Sequence, residues 1–189
     1  YNTELYVHEA RMCGAQILAP CVNNSNYTTC ISGDNIYIGF IHVRDLERNI
    51  AQAIENERNL NGPYLDLDDF VKRIPIKKEQ LILLIRIGAF RFTQISRKEL
   101  LWQKNAVLSN QQGVPYSNLM LIHENAHHYQ LPNLEEFEFE EAFEQIELLG
   151  FPLCSPFDLL QTKHRGDVMA KDLPKFVNKE IRMMGYYVC

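Results

Sequence analysis

Residues 66–104, DLDDFVKRIPIKKEQLILLIRIGAFRFTQISRKELLWQK, constrain the fold more than any other stretch, because an apolar helical run stops at Gly88 and a second helix opens at Ser96. The spacing of Leu81, Leu84, Ile85 and Ile87 predicts a helix over 77–87, ended by Gly88. A second helix is predicted over 97–108, with Ser96 as its cap and Glu99 at the third position, as in a capping box. Two helices joined by a short glycine-containing turn make an αα hairpin. The unpaired amides at a helix N-terminus carry partial positive charge, so a turn at which the backbone is approachable suits a phosphate oxygen.

The charge is sorted by region. Residues 71–104 carry nine Lys/Arg against two glutamates, a local balance of +7 in a chain of net charge −5. Residues 1–70 come to −6, residues 124–147 carry eight glutamates and no Lys/Arg, and residues 148–189 come to +2. A polyanion within about a Debye length, roughly 8–10 Å, senses the local field and not the total. On charge alone, solvated helix faces are the competing reading.

At 189 residues and 46% hydrophobic, the chain is long enough for one sizeable core with appendages. No apolar run approaches the roughly 20 residues that span a bilayer, and the start YNTELYVHEA has neither a basic n-region nor an apolar h-region. Five cysteines without a C-x-x-C indicate neither a disulfide framework nor a zinc ribbon, and a cytoplasmic location is expected. Asn23-Asn24-Ser25 and Asn26-Tyr27-Thr28 match the glycosylation sequon within an asparagine-rich turn, where such matches arise by chance.

Further elements follow from periodicity and stop signals. A helix over 3–13 ends at Gly14, and the stretch NIYIGFIHV (35–43) reads as strand or as a short buried helix. A helix over 46–60 ends at Asn61-Gly62-Pro63, and Asp66 or Asp68 caps the short helix DDFVKR, which Pro75 closes. Phe90 is expected in the core, and Phe137, Phe139 and Phe143 are expected to anchor the acidic run to it.

In order along the chain, APCVNNSNY, IYIGF, ENERNLNGPYLDLDDFVKR, LILLIRIGAF with SRKELLW, and ELLGFPLCSPFDLL resemble the bacterial replicative DNA polymerase III alpha subunit in its shorter form. The resemblance implies a mainly α fold: a tandem helix-hairpin-helix domain, a small amount of extended structure and an irregular C-terminal extension. It divides the chain into a DNA-binding region (1–109), an acidic connector (110–147) and a lead-in to an oligonucleotide-binding barrel (148–189), with IRMMGYYVC as that barrel's first strand. It also implies a segment of a longer protein. The whole polymerase would use magnesium ions held by carboxylates in a preceding domain. No cofactor is expected here.

The function implied is contact with the duplex DNA backbone without sequence specificity. From the residues, the phosphate-binding set is Lys72, Arg73, Lys77, Lys78, Gly88, Arg91, Ser96, Arg97 and Lys98. The family's first hairpin usually carries Gly-x-Gly where this chain has Val43-Arg44-Asp45-Leu46-Glu47. Two carboxylates beside a phosphate repel it, so the first hairpin is expected to be structural. The expected partners are duplex DNA, the remainder of the polymerase chain and, through Leu119, Met120, Leu121 and Ile122 in the connector, the sliding clamp; no membrane partner is expected.

One motif points elsewhere. His123-Glu124-Asn125-Ala126-His127 satisfies H-E-x-x-H, in which His123 and His127 would ligate zinc and Glu124 would act as base, with Glu140, Glu141 or Glu144 as third ligand. It lies between Pro115 and Pro132 in the connector, no independent third-ligand motif follows, and a zinc peptidase would leave the first hundred residues unexplained.

Overall fold

The structure, a computed structural model, describes residues 3–111, 137, 139–163 and 165–187. The first helix, α1 (Thr3–Met12), leads through Gly14 into a three-stranded sheet of β1 (Gln16–Leu18), β2 (Cys30–Ser32) and β3 (Asn35–Tyr37). The strand order is β1-β3-β2, with β1 parallel and β2 antiparallel to the central β3, and Ile36 stands opposite both Ile17 and Ile31. The stretch 35–43 resolves into both of its expected forms, since β3 is followed by a 3₁₀ turn at Phe40–His42. Gly39 precedes that turn because a β-carbon there would run into the Thr28 and Thr29 backbone.

Helices α2 (Arg48–Asn61), α3 (Leu67–Arg73), α4 (Lys78–Arg86) and α5 (Arg97–Gln111) follow, and α6 (Glu140–Leu149) comes after them in the described residues. Helix α2 starts two residues later than its apolar pattern suggests, because Asp45 (φ 61°) turns the chain first. Asp66 is the cap of α3, its carboxylate accepting from the Asp69 amide at 2.8 Å.

The core is built on aromatic edges. Tyr64 meets Phe70 at 5.0 Å between centroids and Phe70 meets Phe90 at 4.9 Å, both edge to face. All three rings are buried, so the residue that follows the Gly88-Ala89 turn is locked to α3 as well as to α4. The Tyr64 hydroxyl donates to the Ile54 carbonyl at 2.9 Å, which satisfies its polar end.

Arginines close the seams between elements. Arg58 donates to the carbonyls of Val22 and Ser25 and to Asn26 Oδ1 at 2.7–2.8 Å, which ties the asparagine-rich turn to α2. The two sequon asparagines are thereby structural, Asn23 exchanging hydrogen bonds with the Tyr64 backbone. Arg73 stacks over the Tyr64 ring at 4.4 Å, pairs with Glu57 at 3.0 Å and Asp69 at 3.2 Å, and donates to the Gly62 carbonyl at 2.8 Å.

Two expectations are corrected. Phe137 and Phe143 are 76% and 61% exposed and do not anchor the acidic run. The buried face of α6 is Ala142, Gln145, Leu148 and Leu149, and a 3.6-residue turn puts Phe143 off that face. Likewise, residues 181–187 form no strand: among the described residues, Met183 makes a single antiparallel bridge to Gly166. Leu148, Leu149, Phe151 and Leu153 join the same core as the hairpin helices.

Two substitutions separate these roles. Phe70→Ala is expected to cost about 3–5 kcal/mol in urea unfolding, since it opens the aromatic column at its centre. Arg73→Met is expected to lower the melting temperature by about 5–10 °C, because it strips the Glu57 and Asp69 carboxylates of their shared partner.

Candidate nucleic-acid interface

The second hairpin runs from α4 through Gly88 and a 3₁₀ turn at Arg91–Thr93 into α5. Gly88 has φ 77°, in the left-handed region that favours glycine, and nothing lies within 4 Å of where its β-carbon would be. Backbone there is open to an incoming group. Ser96 Oγ accepts from the Glu99 amide at 3.2 Å, half of the expected capping box. Among the described residues the amides of Ser96 and Arg97 have no internal acceptor. Gly88, Arg91, Ser96 and Arg97 line one open cavity of about 380 Å³, floored by Phe90 and Leu100 and bounded on one side by Glu141.

Other members of the sequence-derived set lie apart from this cavity. Lys77 and Lys78 are at the opposite end of α4, about 14 Å away by helix rise, and both are exposed. Lys77 lies 3.8 Å from Glu47, beside the first hairpin. Lys72 pairs with Asp68 one turn back on α3, and Arg73 is committed to the fold as described. Arg91 rims the cavity, but its guanidinium donates to the Ala19 carbonyl at 2.8 Å and the Pro20 carbonyl at 3.0 Å. It therefore orders the turn. Arg97 makes one long bond, 3.4 Å, to the Arg86 carbonyl at the end of α4.

The first hairpin has its own closure. Asp45 holds the left-handed conformation that the family's glycine would adopt freely. The Glu47 amide, at the cap of α2, donates to Gln80 Oε1 at 2.7 Å, and Gln80 Nε2 donates to the Asp45 carbonyl at 2.9 Å. This amide is already used internally. Gln80 is the residue sequence reasoning missed; the signal was an amide on the buried face of α4, alongside Leu81, Leu84 and Ile85.

Also missed was the neighbour of the basic hairpin. The acidic helix α6 packs beside it. Arg86 meets Glu144 at 2.6 Å and Glu147 at 2.5 Å, and Lys98 meets Glu140 at 3.0 Å. The hydrogen bonds that Arg86 donates to Glu144 and then Glu147 raise its pKa, and the hydrogen bond from Lys98 lowers that of Glu140. The end of α6 is held by Arg44, whose amide donates to the Leu148 carbonyl at 2.8 Å.

No group of three or more His, Cys, Asp or Glu among the described residues could hold a metal ion. Glu140 and Glu144, offered above as third zinc ligands, face Lys98 and Arg86 instead. Glu141 accepts a hydrogen bond from Gln145 on its own helix. His123 and His127, and the clamp-docking residues Leu119, Met120, Leu121 and Ile122, lie outside the described residues. Among the described residues no helix is long and apolar enough to cross a membrane.

Comparison with known proteins bears on this geometry. Residues 14–100, from the turn after α1 into the first turn of α5, match a helix-hairpin-helix motif. An error-prone DNA polymerase of Mycobacterium bovis is 31% identical over 144 residues, 75% of this chain and 13% of that protein. The DNA polymerase III subunit alpha of Thermus aquaticus is 36% identical over 87 residues, 44% of this chain and 7% of that protein. The corresponding subunit of Staphylococcus epidermidis is 33% identical over 110 residues, 57% of this chain and 10% of its own length. The chain thus spans about an eighth, or less, of the relatives it matches. It carries a helix-hairpin-helix motif and is similar over most of its length to bacterial DNA polymerase III alpha subunits and error-prone DNA polymerases, as a segment of such a protein would be.

Proposed function

We propose that this segment grips the backbone of duplex DNA through its second hairpin, without reading base sequence. The observation that carries the reading is the open turn itself. Within the matched helix-hairpin-helix motif, Gly88 exposes backbone at the mouth of a cavity where the Ser96 and Arg97 amides have no acceptor among the described residues. A phosphate oxygen entering there would accept from these amides at the start of α5, with the Arg97 guanidinium beside it. Lys77 and Lys78, one helix length away, would meet a second stretch of the same backbone.

Contacts of this kind carry no base information, because they end on phosphate oxygens. The first hairpin contributes rigidity. Its cap amide is held by Gln80, and Asp45 and Glu47 would repel phosphate. In the whole protein, nucleotide transfer and its metal ions would belong to a separate domain, and this segment would act by holding the duplex. Such a site has an expected dissociation constant on the order of 10⁻⁴ to 10⁻⁶ M near physiological salt.

Fluorescence anisotropy of a labelled duplex, titrated at two salt concentrations, tests the reading. Binding should weaken steeply with salt. An Arg97→Gln/Lys98→Gln variant should bind about tenfold more weakly and flatten the slope of log K against log salt by roughly 0.9, the share of Arg97. Binding that ignores both salt and the double substitution would overturn the assignment.

A further inference from the structure

The acidic helix α6 stands against the hairpin that is proposed to bind DNA, and its carboxylates occupy two of that hairpin's cations. Lys98, in the first turn of α5, lies 3.0 Å from Glu140, and its ammonium sits 5.5 Å from the centroid of the Phe137 ring. Arg86, in the last turn of α4, is gripped by Glu144 and Glu147 together. Glu141 borders the cavity at Gly88 and Ser96. Carboxylates of α6 therefore stand at Lys98, at Arg86 and at the edge of the cavity.

We infer that α6 acts as an internal substitute for the DNA backbone: its glutamates compete with phosphate for Lys98 and Arg86 and hold down the affinity of the second hairpin. The inference rests on the duplex-binding reading. A phosphate that engages Lys98 must displace Glu140, so an ion pair is exchanged for an ion pair and the net gain is small. The displaced carboxylate also stays nearby, where it repels the phosphate.

The helix is fixed in this position by its other side. Leu148 and Leu149 are buried in the shared core, and the Arg44 amide holds the Leu148 carbonyl. Competition therefore does not require α6 to swing away. Only the side chains on its exposed side need to change partners, and Lys98 and Glu140 are each about a quarter exposed to solvent. Anything that neutralised these carboxylates, or drew them to a cationic partner, would strengthen the hairpin's grip without a change of fold.

The test uses the same anisotropy titration on the whole chain with three further variants. Glu140→Gln should bind the duplex roughly 3- to 10-fold more tightly at low salt and steepen the salt slope by about 0.9, as one cation is released to phosphate. Lys98→Met/Glu140→Gln should lose that gain, because the released cation is gone. Glu9→Gln on α1, which alters net charge equally, should bind like the wild type. Equal or weaker binding by Glu140→Gln would overturn the inference, as would a gain that survives in the double variant or appears in Glu9→Gln. A wild type that binds with steep salt dependence while Glu140→Gln changes nothing defeats only the α6 inference; absence of binding by every variant at low salt defeats the duplex reading and this inference with it. Melting curves of each variant establish that the fold is intact.

Discussion

The side-chain amide of Gln80 is the joint on which the arrangement of the two hairpins depends. It is buried, accepts from the Glu47 amide and donates to the Asp45 carbonyl. A buried amide without partners is costly, so these two bonds fix the turn of the first hairpin against α4. Two consequences follow from one side chain. Asp45 is held in a left-handed conformation that a non-glycine residue adopts at a cost, and the Glu47 amide is withdrawn from any external acceptor. With its N-terminal end tied to the first hairpin, α4 ends at Gly88, where the space beside the backbone is open. The asymmetry between a closed first turn and an open second one begins at this contact.

Much of the local structure is legible in the sequence because it is set by local chemistry. The stop at Gly88, the caps at Ser96 and Asp66 and the burial of Phe90 each follow from a residue and its near neighbours. The helix pattern on the apolar face of α4 is equally plain, and the family resemblance is carried by stretches that form those same elements. The shift of α2 to Arg48 is less legible, since it depends on the positive φ at Asp45, which Gln80 supports from 35 residues away.

The candidate site was legible in its turn and much less so in its charges. Counting nine cations between residues 71 and 104 treats each as available, whereas several have partners from segments far away in sequence. Arg73 answers to Glu57 on α2 and stacks on Tyr64; Arg91 holds the carbonyls before the asparagine-rich turn; Arg86 meets glutamates some 60 residues on. The sequence places the acidic run at 124–147 in a connector, apart from the basic island. Its last part is instead the island's neighbour, because the apolar stripe of α6 needs the core and carries the glutamates in with it. A one-dimensional charge count cannot distinguish a cation that faces solvent from one that already has a carboxylate at 3 Å.

The same reasoning limits what a hairpin of this kind can do alone. Backbone amides contribute a fixed dipole that salt and neighbouring glutamates diminish but cannot remove, whereas a lysine's contribution falls nearly to zero once a carboxylate takes it. On the proposed reading, the glycine turn supplies a contact that is always present, and the flanking cations supply one whose strength depends on what else they face. A duplex that must move past its holder is served by such a division, since contacts to phosphate repeat along the backbone and none of them is strong enough to fix one register. On the same reading the acidic helix belongs to that balance: by keeping Lys98 and Arg86 partly occupied, it keeps the phosphate contacts of these two cations close to an even exchange.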